Sequence, residues 1–179
     1  LDDDGDTDLV LTGDRSDNRV LANDGDGTFT DVSAFSGLIG SRRNTSAHAA
    51  DIDNDGLLDV WFSGSSVPSE NYFNTLYMNN GDGSFREESA LRGLATNIGA
   101  CSATFTNFDG DPYIDLVVAN CQDHLLRDTP FEMFRNTGDG YFEDIYDQSR
   151  AWEVGHWMGL AFADFDGSGT MDFFSTNTG

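Results

Sequence analysis

The sequence predicts an all-β chain built from β-propeller blades, four antiparallel strands to a blade and about three blades' worth of a larger propeller. Three observations carry this. An aspartate-rich loop recurs four times at a nearly constant interval, a glycine-rich hairpin recurs between the copies, and the stretches between them are short and apolar like strands.

The loop is fullest at Asp51-Ile52-Asp53-Asn54-Asp55-Gly56-Leu57-Leu58-Asp59 and runs straight into Val60-Trp61-Phe62. It returns from Asp164 to Asp172, and from Asn107 to Asp115 with Pro112 in place of the glycine. The chain opens inside a further copy, Asp2-Asp3-Asp4-Gly5-Asp6-Thr7-Asp8. The closing aspartates stand at 8, 59, 115 and 172, which are intervals of 51, 56 and 57 residues. The hairpin motif N-x-G-D-G-x-F begins at Asn23, Asn79 and Asn136 and keeps phase with the loop. Such phase is foreign to a β-sandwich, and the period is far too long for a parallel β-helix.

Each unit then reads as four strands. A small-residue strand, Ala47 to Ala50 in one unit, enters the aspartate loop, and a strongly apolar strand leaves it. A third strand, such as Thr75-Leu76-Tyr77-Met78, runs into the hairpin, whose glycines supply the positive φ of a tight turn. The fourth begins at the motif's phenylalanine. The units are expected at 1–46, 47–100, 101–155 and 156–179, the first and last incomplete, all within one propeller domain spanning 1–179. We expect further blades on both sides in a longer chain, since propellers hold roughly 4–8.

The form D-x-D-x-D-G-x-x-D gathers carboxylates at loop positions 1, 3, 5 and 9, bends at Gly56, and can add the carbonyl of position 7. An all-oxygen cage of that charge suits Ca²⁺, which takes about 6–8 oxygens. Zinc would call for His or Cys at ligand positions, and Mg²⁺ dehydrates too reluctantly. The expected side-chain ligands are Asp51, Asp53, Asp55 and Asp59 in the strongest site. The others are Asp2, Asp4 and Asp8; Asn107, Asp109, Asp111 and Asp115; and Asp164, Asp166, Ser168 and Asp172. Asp6, Leu57, Tyr113 and Thr170 would contribute backbone carbonyls. An EF-hand would need a Glu at position 12, where Phe62 and Ser175 stand.

Composition points the same way. The net charge is -23, from 26 Asp and 6 Glu against nine Arg and no Lys. This bias toward the shorter acid is what metal loops and turns select. Nucleic acid and an anionic membrane surface are disfavoured as partners, because no basic stripe exists. No apolar run approaches the roughly 18–20 residues that span a bilayer, so no membrane insertion is expected, and no signal peptide stands at Leu1. Four Ca²⁺ would bring the charge from -23 to -15. The empty carboxylates repel one another, so calcium is expected to act as a folding ligand.

Cys101 lies on the strand before the third loop and Cys121 just after the strand leaving it. If Thr106 pairs with Leu116, the two cysteines face each other, and a disulfide is expected. That agrees with an oxidising, extracellular location. His48, His124 and His156 occupy non-equivalent positions, and no nucleophile, metalloprotease or P-loop motif is present. No enzyme is therefore expected, although the many aspartates leave a catalytic carboxylate pair open. The segments 64–74 and 120–131, with Pro68, Glu70, Tyr72, Gln122, His124 and Arg127, are the expected partner-contact loops. Asn44-Thr45-Ser46 is a glycosylation sequon.

These residues resemble FG-GAP/VCBS repeats, the blades of integrin-α-like propellers, over essentially the whole chain. The pairing of AADIDNDGLLDVWF and GLAFADFDGSGTMDFFSTN with NNGDGSF is most similar to the cartilage acidic protein group and its bacterial relatives. The resemblance implies a seven- or eight-bladed propeller with calcium in the loop between a blade's first two strands. It also implies a secreted or cell-surface module for adhesion or for protein or glycan recognition, with self-association possible. Two other functions fall within the resemblance: a secreted carbohydrate-active enzyme of polysaccharide-lyase type, and a structural subunit of a calcium-dependent filament or surface layer.

Overall fold

A computed structural model describes residues 1–13, 16–38, 43–67, 70–71, 73–96, 98–121, 129–151 and 154–177. The strands are β1 Leu9–Leu11, β2 Arg19–Asn23, β3 Phe29–Asp31, β4 Asn44–Ala50, β5 Asp59–Gly64, β6 Ser66–Val67, β7 Glu70–Asn71, β8 Thr75–Asn79 and β9 Phe85–Glu87. They continue with β10 Ala100–Thr106, β11 Asp115–Asn120, β12 Thr129–Pro130, β13 Glu132–Asn136, β14 Phe142–Asp144, β15 Val154–Gly155, β16 Trp157–Ala163 and β17 Asp172–Asn177. Two single-turn helices, α1 Ser33–Ser36 and α2 Tyr146–Ser149, follow β3 and β14.

The chain is all-β, and its sheets are propeller blades. Two are complete, with strand orders β4-β5-β8-β9 and β10-β11-β13-β14. A three-stranded blade, β1-β2-β3, precedes them and a two-stranded one, β16-β17, follows. Every neighbouring pair within these blades is antiparallel. The inner strand β4 begins at Asn44 and so straddles the 46/47 unit boundary drawn from sequence. The short pairs β6–β7 and β12–β15 are additions that the repeat does not announce.

The blades stack face to face, with inner strands β4, β10 and β16 side by side. This explains why β5 and β11 read as unbroken apolar runs: each is covered on both faces, and all six residues of each are buried. Successive side chains alternate between faces. Val60 and Phe62 turn toward the first blade with Val20 and Tyr77, while Trp61 turns toward the third with Leu116 and Phe134. Val117, in turn, packs against Leu160 and Phe162 of the last blade. Phe174, on β17, is 62% exposed.

The inner hairpin register differs from the one expected. Thr106 pairs with Asp115, and Leu116 with Phe105, one residue away from the assumed pairing. A bulge between Ala100 and Ser102 shifts the register by one residue more and leaves Cys101 as the extra residue, and Cys101 is joined to Cys121 across a Cα–Cα distance of 5.4 Å. The same bulge recurs at Thr45 and Met158, so it belongs to the repeat rather than to the cysteines.

Candidate metal centre

The aspartate loops at 51–59, 107–115 and 164–172 join inner to second strand and the loop at 2–8 leads into β1, and their geometry follows from short carboxylates finding nearby N–H groups. In the loop at 51–59, Asp51 takes the Asp55 and Gly56 N–H groups at 3.1 and 3.0 Å, one on each oxygen. Asp164 does the same for Ser168 and Gly169, at 2.9 Å each. Position 5 accepts the N–H of position 7 in all four loops, from Asp6 to Asp4, Leu57 to Asp55, Tyr113 to Asp111 and Thr170 to Ser168. Left-handed residues at positions 4 and 6, Asn54 and Gly56 in the fullest copy, wind the chain tightly enough for this.

Position 9 serves the blade, and in the two complete blades, at Asp59 and Asp115, it is buried. Asp59 accepts the Ile52 N–H at 3.2 Å and the Asn79 N–H at 2.9 Å, one on each oxygen. Asp115 repeats this with Phe108 and Asn136, at 3.0 and 2.9 Å. Asp172 accepts from Phe165 at 3.0 Å, and Asp8 from Asn23 at 2.9 Å. Burial pushes the Asp59 and Asp115 carboxyls up to about 6, against the pull of those N–H bonds. The hairpin asparagine thus locks onto the loop of its own blade. Its first glycine faces position 7 closely. A Cβ at Gly25, Gly81 or Gly138 would meet Asp6, Leu57 or Tyr113 at 2.5, 3.2 or 3.2 Å.

The structure brings together one carboxylate oxygen from each of Asp51, Asp53 and Asp55, within 4.8 Å of one another, and does the same for Asp164, Asp166 and Asp172. Among the described residues, the loops at 2–8 and 107–115 form no such threefold group. The third loop departs for a chemical reason. Pro112 cannot take the left-handed conformation, and Asn107 turns its amide across the loop, donating to the Asp111 carbonyl and accepting the Gly110 N–H at 2.7 Å.

Asp53 stands apart. Its Oδ1 is buried without a hydrogen-bond partner, while Oδ2 lies 3.5 Å from Arg92 Nη2. Burial raises its pKa, the Asp55 and Asp51 charges add to the rise, and Arg92 opposes it. Hydroxyl, thiol and imidazole ligands are not what this group offers. A group of three carboxylates, one of them with a buried oxygen left unpartnered, fits a hard, oxygen-seeking cation.

Elsewhere, His48 is structural. Its Nε2 accepts the Ala103 N–H at 3.3 Å and lies 3.0 Å from Ser46 Oγ, bridging β4 to β10. His156 sits beside the disulfide, a ring nitrogen within 4.8 Å of both sulfurs. Asn44 of the sequon is buried, accepting from Asn18 at 2.9 Å, and leaves no room for a glycan on the folded chain. Of the expected partner loops, residues 68, 69, 72 and 122–128 lie outside the described residues.

Sequence reasoning did not single out Arg92 or the hairpin asparagines as parts of the site. The asparagines carried a signal, since Asn opens all three hairpin copies. Residues 1–62 and 107–175 match the family described as FG-GAP-like repeat. No curated protein matches the chain.

Proposed function

The chain belongs to the FG-GAP-like repeat family, and from that premise we propose an extracellular binding module whose blades are stabilised by calcium. The observation that carries this is the gathering of Asp51, Asp53 and Asp55 within 4.8 Å, in which Asp53 also keeps a buried oxygen, Oδ1, without a hydrogen-bond partner. Asp51, Asp53, Asp55 and Asp59, with the Leu57 carbonyl, would hold the ion, and Asp164, Asp166 and Asp172 would form a second site. Calcium supplies the positive charge that lets these carboxylates stay close together.

The role of the ion is structural. The loop at 51–59 joins two strands and grips the hairpin of the same blade, so filling it tightens the blade rather than activating a substrate. Affinities of about 10⁻⁴–10⁻³ M suit such a module outside the cell, where calcium is abundant. The disulfide supports the same location. Recognition of a protein or glycan would fall to loops at the blade ends, as it does on rigid scaffolds generally.

Thermal unfolding with stepwise Ca²⁺, and with Mg²⁺ as control, tests the reading. We expect a calcium-specific rise in Tm that shrinks in Asp53→Ala. Equal responses to both ions, or none, would leave the loops as hydrogen-bonded turns.

A further inference from the structure

We infer that Arg92 is the built-in counter-ion of the loop at 51–59 and sets how tightly that loop holds a divalent cation; this rests on the calcium reading above. Arg92 lies on the turn after β9 and is only 7% exposed. Nε donates to Glu88 at 2.8 Å, Nη1 donates to the Asp139 carbonyl in the next blade, and the guanidinium lies 5.0 Å from the Tyr141 ring centroid. Its own carbonyl accepts the Phe142 N–H at 2.9 Å. Held from every side, the guanidinium cannot swing away from Asp53, whose Oδ2 it faces at 3.5 Å.

The two oxygens of Asp53 therefore have separate roles. Oδ2 faces the arginine, and Oδ1, without a partner, is left for a cation. Counting from the hairpin phenylalanines Phe29, Phe85 and Phe142, the residues equivalent to Arg92 are Ser36 and Ser149. The arginine thus accompanies a loop with a carboxylate at positions 1, 3, 5 and 9, whereas Asn107 replaces one in the third loop, whose equivalent of Arg92 is Ser149. It offsets one negative charge and brings this loop level with the three carboxylates of the third loop. A fixed positive charge out of bulk water repels an incoming cation and steadies the empty loop.

The test is calorimetric titration of Ca²⁺ into the calcium-stripped full chain, with Asp53→Ala identifying the heat that belongs to this loop. Arg92→Gln is expected to bind calcium about threefold to tenfold more tightly. When stripped, the same variant should melt about 3 °C lower. Arg92→Lys keeps the charge without the guanidinium fork and should bind calcium more weakly than Arg92→Gln. Arg92→Met removes the charge with a similar stem and should tighten binding as Gln does if the Gln variant does not fold. Unchanged or weaker binding by Arg92→Gln, or Arg92→Lys binding as tightly as Arg92→Gln, would overturn the counter-ion. A wild-type chain that gives no heat assignable to Asp53 would instead overturn the calcium loop itself.

Discussion

Asn136 reaches across a blade boundary to Ile52, its Nδ2 standing 2.7 Å from the Ile52 carbonyl oxygen inside the neighbouring aspartate loop. The same amide donates to the Ile114 carbonyl at 3.2 Å and accepts the Gly138 N–H at 3.0 Å. Its backbone N–H goes to Asp115 at 2.9 Å. One fully buried side chain therefore ties together two loops and a hairpin. Its counterpart Asn79 makes the same crossing to the Leu1 carbonyl at 3.0 Å.

Removing that amide strands buried carbonyls, which costs more than the bonds contribute when made. Asn136→Ala is expected to lose about 2–4 kcal/mol. Asn23, whose side chain among the described residues bonds only the Thr7 carbonyl and Gly25 N–H and is half-buried, should lose about 1 kcal/mol. Urea unfolding of the two variants compares them directly. Equal losses would mean the crossing to Ile52 contributes nothing.

The loops and hairpins were legible because their signals are local: aspartates spaced by two, and glycines where φ is positive, as at Gly56 and Gly81. Blade architecture followed from their phase. Register was not legible. Thr106 stands opposite Asp115, rather than Leu116, and the register shifts again at a bulge at Cys101 whose equivalents are Thr45 and Met158, three residue types with nothing in common. Arg92 was invisible for a different reason. Its partners Asp53 and Asp139 lie 39 and 47 residues away, and only the stacking of blades brings them together. Position 9 was read as a ligand from its residue type. That its two oxygens also accept the Ile52 and Asn79 N–H groups depends on strand pairing, which the motif alone does not carry.

Close approach between blades predicts an asymmetry among glycines. Gly93 has φ +84°, and a Cβ there would meet the Phe142 carbonyl oxygen at 2.4 Å. Gly56, at φ +92°, has open space around the same atom. Gly56→Ala should therefore cost about 1 kcal/mol of backbone strain. Gly93→Ala must also part the second and third blades, so its Tm should fall by at least twice as much. A smaller fall at Gly93 would show the blades to be loosely joined there.

The Cys101–Cys121 bond closes a segment with a sequence separation of 20. Constraint of the unfolded chain makes such a loop worth about 3 kcal/mol. Cys101→Ser with Cys121→Ser should melt roughly 6–12 °C lower than the oxidised chain. Reduction of the wild type should reproduce most of that shift. If neither lowers Tm, the bulge and the pairing of Ala100 with Asn120 already hold that end of the blade.

Glu132 predicts the direction of a pH dependence that owes nothing to calcium. Burial pushes its carboxyl up to about 7, the Asp144 charge adds to the rise, and the Asn120 amide, donating to Oε2 at 3.2 Å, only partly offsets it. The folded chain therefore holds this proton more firmly than the unfolded chain, whose glutamates titrate near 4.5. Stability is fully present below the unfolded value and is lost as pH rises toward about 7, beyond which the buried charge is a constant cost. Glu132→Gln removes the titration and keeps the shape. It should match the wild type at pH 4 in calcium-free buffer and melt several degrees higher at pH 8. A variant that melts below the wild type at pH 8 would show that the ionised carboxylate is held by favourable contacts.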